Sequence, residues 1–221
     1  MTPSVRRQRA LHRRCISQHD EHRECDLFAA SRLRRVLSSM ALTATIFTFE
    51  IDLADVDRGV YESLTLKVAQ HPSETEDYLL TRVLAYCLEY REGIAFSKGL
   101  SEPDEPPVVV RDLTGALMSW IEIGNPDAAR LHKASKASPR VVIYTHKDPA
   151  QLKRAVAGER VHKLETIEVH AVDRQLLADL AQRLERRMKM GVTRTDGELY
   201  IAVDSDSLGG ALQHHSLSTA S

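Results

Sequence analysis

The chain has 221 residues, of which 43% are hydrophobic, so it is long enough to bury a sizeable core. Its formal net charge of −1 excludes a strongly basic protein that binds nucleic acid through bulk charge alone. Cys15, Cys25 and Cys87 form no CxxC pair, and no apolar run approaches the roughly 20 residues of a membrane span, so we expect a cytoplasmic protein without a membrane segment.

The first 39 residues differ in composition from the rest of the chain. They hold nine arginines, no lysine and four acidic residues, a balance of +5, which leaves residues 40–221 with −6. Few of them are core-forming aliphatic residues, so a disordered extension is expected, with a functional basic tail as the alternative. Met40 opens a clean strand pattern and is expected to be the true start of the protein. Any basic site in the folded part must be local.

The next segments predict two strands and a helix. Met40–Asp57 and Val60–Gln70 alternate apolar and polar residues, which favours an antiparallel pair. Ser73–Tyr90 carries apolar residues at helical spacing. Ser73 and Glu76 match the capping box, in which each residue satisfies a backbone N–H at the helix start.

Three further strands are predicted over Gly93–Ser101, Pro107–Asp112 and Ala116–Gly124. The turn residues of Asp112–Gly115 are expected to join the last two as a hairpin.

A second helix is predicted to begin at Asn125 and Pro126 and to end near Ser138, with Asn125 as its N-cap. The continuous apolar run Arg140–His146 then indicates a buried strand. The central order is therefore α-β-β-β-α-β.

The remaining segments predict five elements: a short helix over Pro149–Ala157, a strand over Thr166–Val172, an amphipathic helix over Asp173–Met188, a hairpin over Lys189–Val203 and a polar tail over Asp204–Ser221. We expect the tail to be disordered because its residues are small and polar.

Three blocks carry a family resemblance: QHPSETEDYLLTRVLAY, DEPPVVVRDLTG and WIEIGNPDAARLHKASK. With these blocks the chain resembles the YaeQ family of bacterial proteins from Met40 to about Val203. The resemblance implies a variant of the PD-(D/E)XK restriction-endonuclease-like fold, an α/β (α+β) domain over residues 40–203 with a mixed central sheet flanked by helices. Residues 1–39 lie outside the usual extent of the family.

The resemblance implies a metal-nuclease site in which carboxylates hold Mg²⁺ and the metal activates the attacking water. Glu122 fits the acid of the second hairpin strand, and its alternative role is an ion pair with Arg130 or Lys133 at an exposed strand end. Glu74 matches the acid of the HPSET block, and its alternative role is to stabilise the dipole of the helix that follows.

The cationic part of the implied site lies on the second helix. The lysine expected two residues after the acid is replaced by Gly124, so Lys133 is the candidate migrated lysine. Arg130 is spaced to share its helical face, and together they would steady a phosphate group. The alternative is a solvated basic face without a site.

Pro107 departs from the family pattern, because relatives usually carry an acid there and proline cannot bind a metal. The expected function is accordingly an Mg²⁺-dependent phosphodiesterase acting on nucleic acid with weak or lost activity. The alternative is a non-catalytic regulator that keeps the fold and binds nucleic acid or a protein. No other cofactor is indicated, because the ten histidines form no HxH or HxxxH spacing.

Overall fold

The computed structural model describes residues 44–97 and 105–217. The predicted disordered extension over residues 1–39 therefore lies outside the described residues. Within them the chain forms a mixed α/β domain with a large, nearly closed ten-stranded sheet and four helices. None of these helices has the length and apolar character needed to cross a bilayer.

The strands and helices are numbered in chain order. The strands are β1 (Thr45–Asp55), β2 (Val60–Gln70), β3 (Ile94–Phe96), β4 (Val108–Arg111), β5 (Leu117–Ile123), β6 (Arg140–Thr145), β7 (Glu168–Val172), β8 (Arg187–Thr195), β9 (Glu198–Val203) and β10 (Asp206–Ser216). The helices are α1 (Glu76–Leu88), α2 (Ala128–Ala137), α3 (Pro149–Val156) and α4 (Arg174–Ala181).

The strand order is β2-β1-β8-β9-β10-β7-β6-β5-β4-β3. β1 and β8, β5 and β6, and β6 and β7 pair in parallel, whereas the other neighbours are antiparallel. The predicted antiparallel pairing of β1 with β2 is confirmed, as is the hairpin of β4 and β5. Asp112 closes that hairpin by accepting hydrogen bonds from the backbone N–H groups of Thr114 and Ala116.

The first side of the sheet encloses α1. Nine of the thirteen residues of α1 are buried, which is the pattern of a helix packed on all sides rather than along one stripe. Its leucines join a single apolar cluster with inward residues of β1, β2, β8 and β9, with Ile121 and Ile123 of β5, and with α4.

The second side of the sheet is covered by α2 and α3. Leu131 of α2 and Leu152 of α3 pack with Trp120, Val141 and Val169 in a separate apolar cluster. Because side chains alternate along a strand, Glu122 shares the face of Trp120 and lies on the side that α2 covers.

Both helix starts differ from the prediction. The N-cap of α1 is Thr75, whose hydroxyl accepts the N–H of Tyr78, so the capping box of Ser73 and Glu76 is wrong. The N-cap of α2 is Asp127, which accepts the N–H of Arg130, so Asn125 is not the cap. In both helices the side-chain oxygen of a residue two positions later acts as the N-cap.

The end of the chain also differs from the prediction. The amphipathic helix stops at Ala181 rather than Met188, and Arg187 already begins β8. The predicted disordered tail is wrong for residues 206–216, because they form β10, which pairs with both β9 and β7. Gly210 lies under α4, where an added Cβ would meet the Cβ atoms of Asp173 and Leu176 at 2.8 Å. The small residues that suggested disorder thus allow close packing.

The choice between the two caps of α1 is testable. Thr75→Ala removes the oxygen that accepts the N–H of Tyr78 and should lower the free energy of unfolding by about 1 kcal/mol in urea titrations. Ser73→Ala is the matched control and should lower it by clearly less. Equal losses would contradict the assignment of Thr75 as the cap.

Candidate functional site

Glu122, the predicted second-strand acid, is buried on the α2 side of β5. Its exposed fraction is 2%, and its Oε1 accepts hydrogen bonds from Trp120 Nε1 at 2.5 Å and from Arg130 Nε at 2.6 Å. The alternative of a pair with Arg130 is therefore present in the structure, but at a buried position rather than at an exposed strand end. The N-cap Asp127 fixes this contact by starting α2 three residues before Arg130.

Arg130 lies between the acid and the preceding strand. Its Nη2 donates to the backbone carbonyl of Glu105 at 2.9 Å, and its guanidinium carbon is 5.9 Å from the centre of the Trp120 ring. One guanidinium thus connects β5, α2 and the segment before β4. The same guanidinium forms an ion pair with the Glu122 carboxylate, which a metal ion would need as a ligand.

Burial raises the pKa of Glu122 above its usual range, because the charged form is poorly solvated there. The positive charge of Arg130 and the hydrogen bonds from Trp120 and Arg130 act in the opposite direction. Arg130 therefore favours the ionised form of this carboxylate against the effect of burial.

Pro107 directly precedes β4, and the register of the hairpin indicates where it lies relative to Glu122. Val108 pairs with Ile121, so extending the register by one residue brings Pro107 opposite Glu122. Directly opposed residues of an antiparallel pair point to the same face, so an acid at position 107 would stand beside Glu122. The buried Pro107 leaves that position without an oxygen ligand.

Glu74 is held by a different arginine. It precedes the N-cap of α1, and its Oε2 accepts hydrogen bonds from the N–H of His71 at 3.2 Å and from Arg82 Nη2 at 3.0 Å. Burial raises its pKa, and the charge of Arg82 opposes this shift. Its contact is therefore a buried ion pair with the second turn of α1 rather than a general interaction with the helix dipole.

The structure does not assemble these residues into a complete metal centre. Glu122 and Glu74 have separate arginine partners, and Lys133 is exposed on α2. Among residues 44–97 and 105–217, no group of three His, Cys, Asp or Glu side chains is arranged to hold a metal ion. The metal-binding role of Glu122 and Glu74 stays a prediction.

Sequence reasoning missed two partners of the candidate acids. Arg82 is only 2% exposed, and its position within the apolar run LLTRVLAYC was the available signal that a buried acid must oppose it. The indole N–H of Trp120 had no comparable signal, because a contact between residues two apart on one strand face depends on the side-chain rotamers.

Comparisons with known proteins agree with one another. A protein-family model described as "YaeQ protein" matches residues 40–210. The uncharacterized protein YaeQ of Escherichia coli K12 is 31% identical over 170 residues, covering 76% of this chain and 94% of that protein. Its counterpart in Salmonella typhi is 31% identical over 164 residues, covering 74% and 91%.

Two solved structures are similar. The crystal structure of YaeQ protein from Pseudomonas syringae has a TM-score of 0.71 and 34% identity, covering 77% of this chain and 95% of that chain. The crystal structure of YaeQ protein from Xanthomonas axonopodis pv. citri has a TM-score of 0.71 and 32% identity, covering 79% and 99%.

Removing the arginine should make stability depend on pH. Arg130→Met leaves Glu122 buried without its cation. The free energy of unfolding should therefore fall by about 2–3 kcal/mol at pH 8. This loss is smaller than that expected for a fully buried ion pair, because Arg130 is partly exposed. The pKa of Glu122 rises further, so the folded state holds its proton more tightly than the unfolded state does. Stability is then retained below the ordinary glutamate pKa of 4.5 and lost as the pH rises above it.

Urea denaturation at pH 4.5 and pH 8 measures this difference, with Lys136→Met as the control that removes a cation from the same helix. The loss caused by Arg130→Met should be clearly smaller at pH 4.5. A loss that is equal at both pH values would mean that Arg130 does not control the charge of Glu122.

Proposed function

The chain belongs to the YaeQ family, and we propose that it is a non-catalytic protein with a nuclease-like fold that binds nucleic acid. The observation that carries the proposal is the concentration of positive charge on one side of the sheet. The buried pair of Glu122 and Arg130 supports the absence of catalysis.

Positive charge is concentrated in one stretch of the chain. Residues 128–166 contain nine lysines and arginines and three acidic residues, a balance of +6. Since residues 40–221 carry −6, the rest of that part of the chain carries −12. The near-neutral total therefore conceals a local excess of positive charge.

The structure places this stretch on one side of the sheet. α2, α3 and the segment after α3 all contribute to the apolar cluster around Trp120, so their outward residues form a common layer. We define the basic face by the six exposed cations of this layer, which are Lys133, Lys136, Lys153, Arg154, Arg160 and Lys163. The exposed acids of the same layer are Glu159, Glu165 and Asp127, the N-cap of α2.

The chemistry of this face fits a phosphate backbone. Lysine and arginine side chains contact phosphates without reading the base sequence, and their binding weakens with salt because counterions are released. Aromatic residues make up only 5% of the chain, so base-stacking platforms are scarce. The proposed ligand is therefore nucleic acid bound mainly through its backbone.

The candidate metal site supports binding without cleavage. Mg²⁺ dehydrates reluctantly and needs carboxylates that are open to water. Glu122 is instead enclosed by Trp120 and Arg130, and Pro107 removes the acid that would face it.

Weak metal-dependent phosphodiesterase activity is the second candidate function. The observation in its favour is the register of the hairpin, which places position 107 beside Glu122 as a two-acid site would require. Restoring the missing acid therefore distinguishes the two functions.

Binding should depend on the basic face and on salt. The charge-reversed variant Lys153→Glu/Arg154→Glu should bind a fluorescent 20-base-pair DNA at least about tenfold more weakly than the wild type at low salt, because two phosphate contacts become repulsive. Fluorescence anisotropy at several salt concentrations should show a steep fall in affinity for the wild type and a shallower one for the variant.

Lys67→Glu/Lys189→Glu is the matched control, because it reverses the same number of charges at residues exposed on β2 and β8, outside the basic face. It should leave the affinity close to that of the wild type. Equal losses in both variants would indicate only a response to net charge. An absence of salt-dependent binding in the wild type would reject the nucleic-acid proposal.

A metal site should appear only when the acid is restored and the arginine removed. Wild-type protein should show no calorimetric heat with Mn²⁺ in the low millimolar range and no DNA cleavage with Mg²⁺ or Mn²⁺. Pro107→Asp/Arg130→Ala places two carboxylates side by side without a competing cation and should bind Mn²⁺ measurably. Adding Glu122→Ala should abolish this gain. Wild-type cleavage that is lost in Glu122→Ala would instead establish the phosphodiesterase.

A further inference from the structure

Two cavities lie beyond the carboxyl ends of the parallel strands β5, β6 and β7. The first has a volume of about 330 Å³ and lies between the start of α1 and the residues that follow β5 and β6. The second, of about 400 Å³, lies beside the starts of α3 and α4. Lys147 lines both, so the two cavities adjoin at this side chain and are together called the cleft. Ligands of α/β sheets commonly bind at this end of the strands.

The first cavity combines ring walls with hydrogen-bonding groups. The rings of Tyr78 and His146 meet edge to face with centroids 6.3 Å apart, and Ile123 adds an apolar surface. Burial raises the pKa of Tyr78 to about 12, so its hydroxyl remains a donor at neutral pH. Glu74 also lines this cavity.

Two polar groups of residues that line this cavity have no hydrogen-bond partner among residues 44–97 and 105–217. The Nδ1 atom of His146 is buried and has no hydrogen-bond partner among the described residues. Burial lowers the pKa of His146, so the ring is neutral and each nitrogen either donates or accepts. The Oδ1 of Asn125 accepts from Thr145, which fixes the side chain and leaves its NH₂ group for a ligand. Buried polar atoms without partners are rare and call for an explanation.

The backbone at Gly124 shapes this wall. Gly124 adopts a left-handed φ of +80°, where a residue with a side chain would be strained. An added Cβ would lie 3.5 Å from Cε1 of His146, which is an ordinary contact. Glycine therefore serves the backbone conformation at the position where the nuclease pattern would place a lysine.

The second cavity has a different character. Its cations are Lys147 and Arg174, and its neutral side chains are Gln213 and Gln175, whose Nε2 already donates to Asp179. Its two acids serve as helix caps: Asp148 accepts the N–H of Ala150 and Asp173 accepts the N–H of Leu176. The attraction for an anion comes from the side chains rather than from open helix starts.

From this arrangement we propose that the cleft binds a nucleotide with a terminal phosphate, either free or at the end of a strand. The base lies against Tyr78 and His146 and hydrogen-bonds with His146 and Asn125. The phosphate lies at Lys147 and Arg174. The combined size of the cavities is within the usual range for sites that enclose small ligands. The six cations of the basic face lie outside the cleft, so this proposal does not depend on backbone binding there.

Isothermal titration calorimetry with the full chain tests the cleft, using adenosine monophosphate, adenosine and inorganic phosphate as probes. The wild type should bind the monophosphate at least about tenfold more tightly than either of the other two, because only the monophosphate fills both cavities. This comparison requires no variant. Equal binding of phosphate and monophosphate, or no binding of the monophosphate, would overturn the proposal.

Two variants test which cavity of the cleft holds the base and which holds the phosphate. Lys147→Met should weaken the monophosphate about tenfold and leave adenosine unchanged, whereas His146→Phe, which keeps the ring and removes its nitrogens, should weaken both. Lys67→Met, at an exposed position on β2 outside both the cleft and the basic face, is the control and should change neither. Unchanged monophosphate affinity in a folded His146→Phe protein would contradict the proposed position of the base.

Oligonucleotides distinguish the two sources of the ligand. If the source is a strand end, a single strand with a 5′-phosphate should bind more tightly than its 5′-hydroxyl form, and His146→Phe should remove the difference. If only the free monophosphate responds to the variants, the ligand is a free nucleotide. If the monophosphate binds while no oligonucleotide does, the cleft stands and the proposed function of the basic face fails.

Discussion

The enclosure of α1 by the sheet is the constraint on which the rest of the structure depends. A helix buried on nearly all sides must neutralise its charged residues within the core. Near its start, Arg82 pairs with Glu74 at 3.0 Å. At its end, Glu89 accepts hydrogen bonds from Arg140 at 2.5 and 3.1 Å and from the hydroxyl of Tyr144 at 3.0 Å. Because Arg140 and Tyr144 belong to β6, these contacts fix α1 against the strand whose end lines the proposed cleft.

The same principle explains the candidate metal site. Glu122 lies among apolar neighbours, so it needs a cation, and Arg130 supplies it from α2. A metal ion would meet the same need in a nuclease, and a protein that loses one acid can remain stable if an internal cation replaces the metal. The surface is affected as well: Arg130 and Arg140 are used inside the protein, whereas the basic face consists of exposed residues of the same stretch. Cations in one sequence segment therefore divide between internal ion pairs and the exposed basic face.

Local sequence patterns predicted most elements of the fold because the information lies in neighbouring residues. Alternation identified β1 and β2, and the turn at Asp112 gave the hairpin that sets Pro107 opposite Glu122. The helix starts were missed because several polar residues competed for each cap, and only the backbone path selects Thr75 over Ser73. The strand β10 was missed because Gly209 and Gly210 resemble a flexible tail, although α4 requires a residue without a side chain at Gly210.

The sequence by itself determined the family, the mixed α/β class, most of the element order and the pairing of the hairpin that carries Glu122. These follow from local periodicity, turn chemistry and the three recognisable blocks. Only the tertiary structure decided which cation each buried acid receives, that β10 completes the sheet, and that His146, Asn125 and Lys147 meet in one cleft. The physical reason is that these contacts join residues from separate elements, whose proximity depends on how the sheet folds around α1 rather than on spacing along the chain.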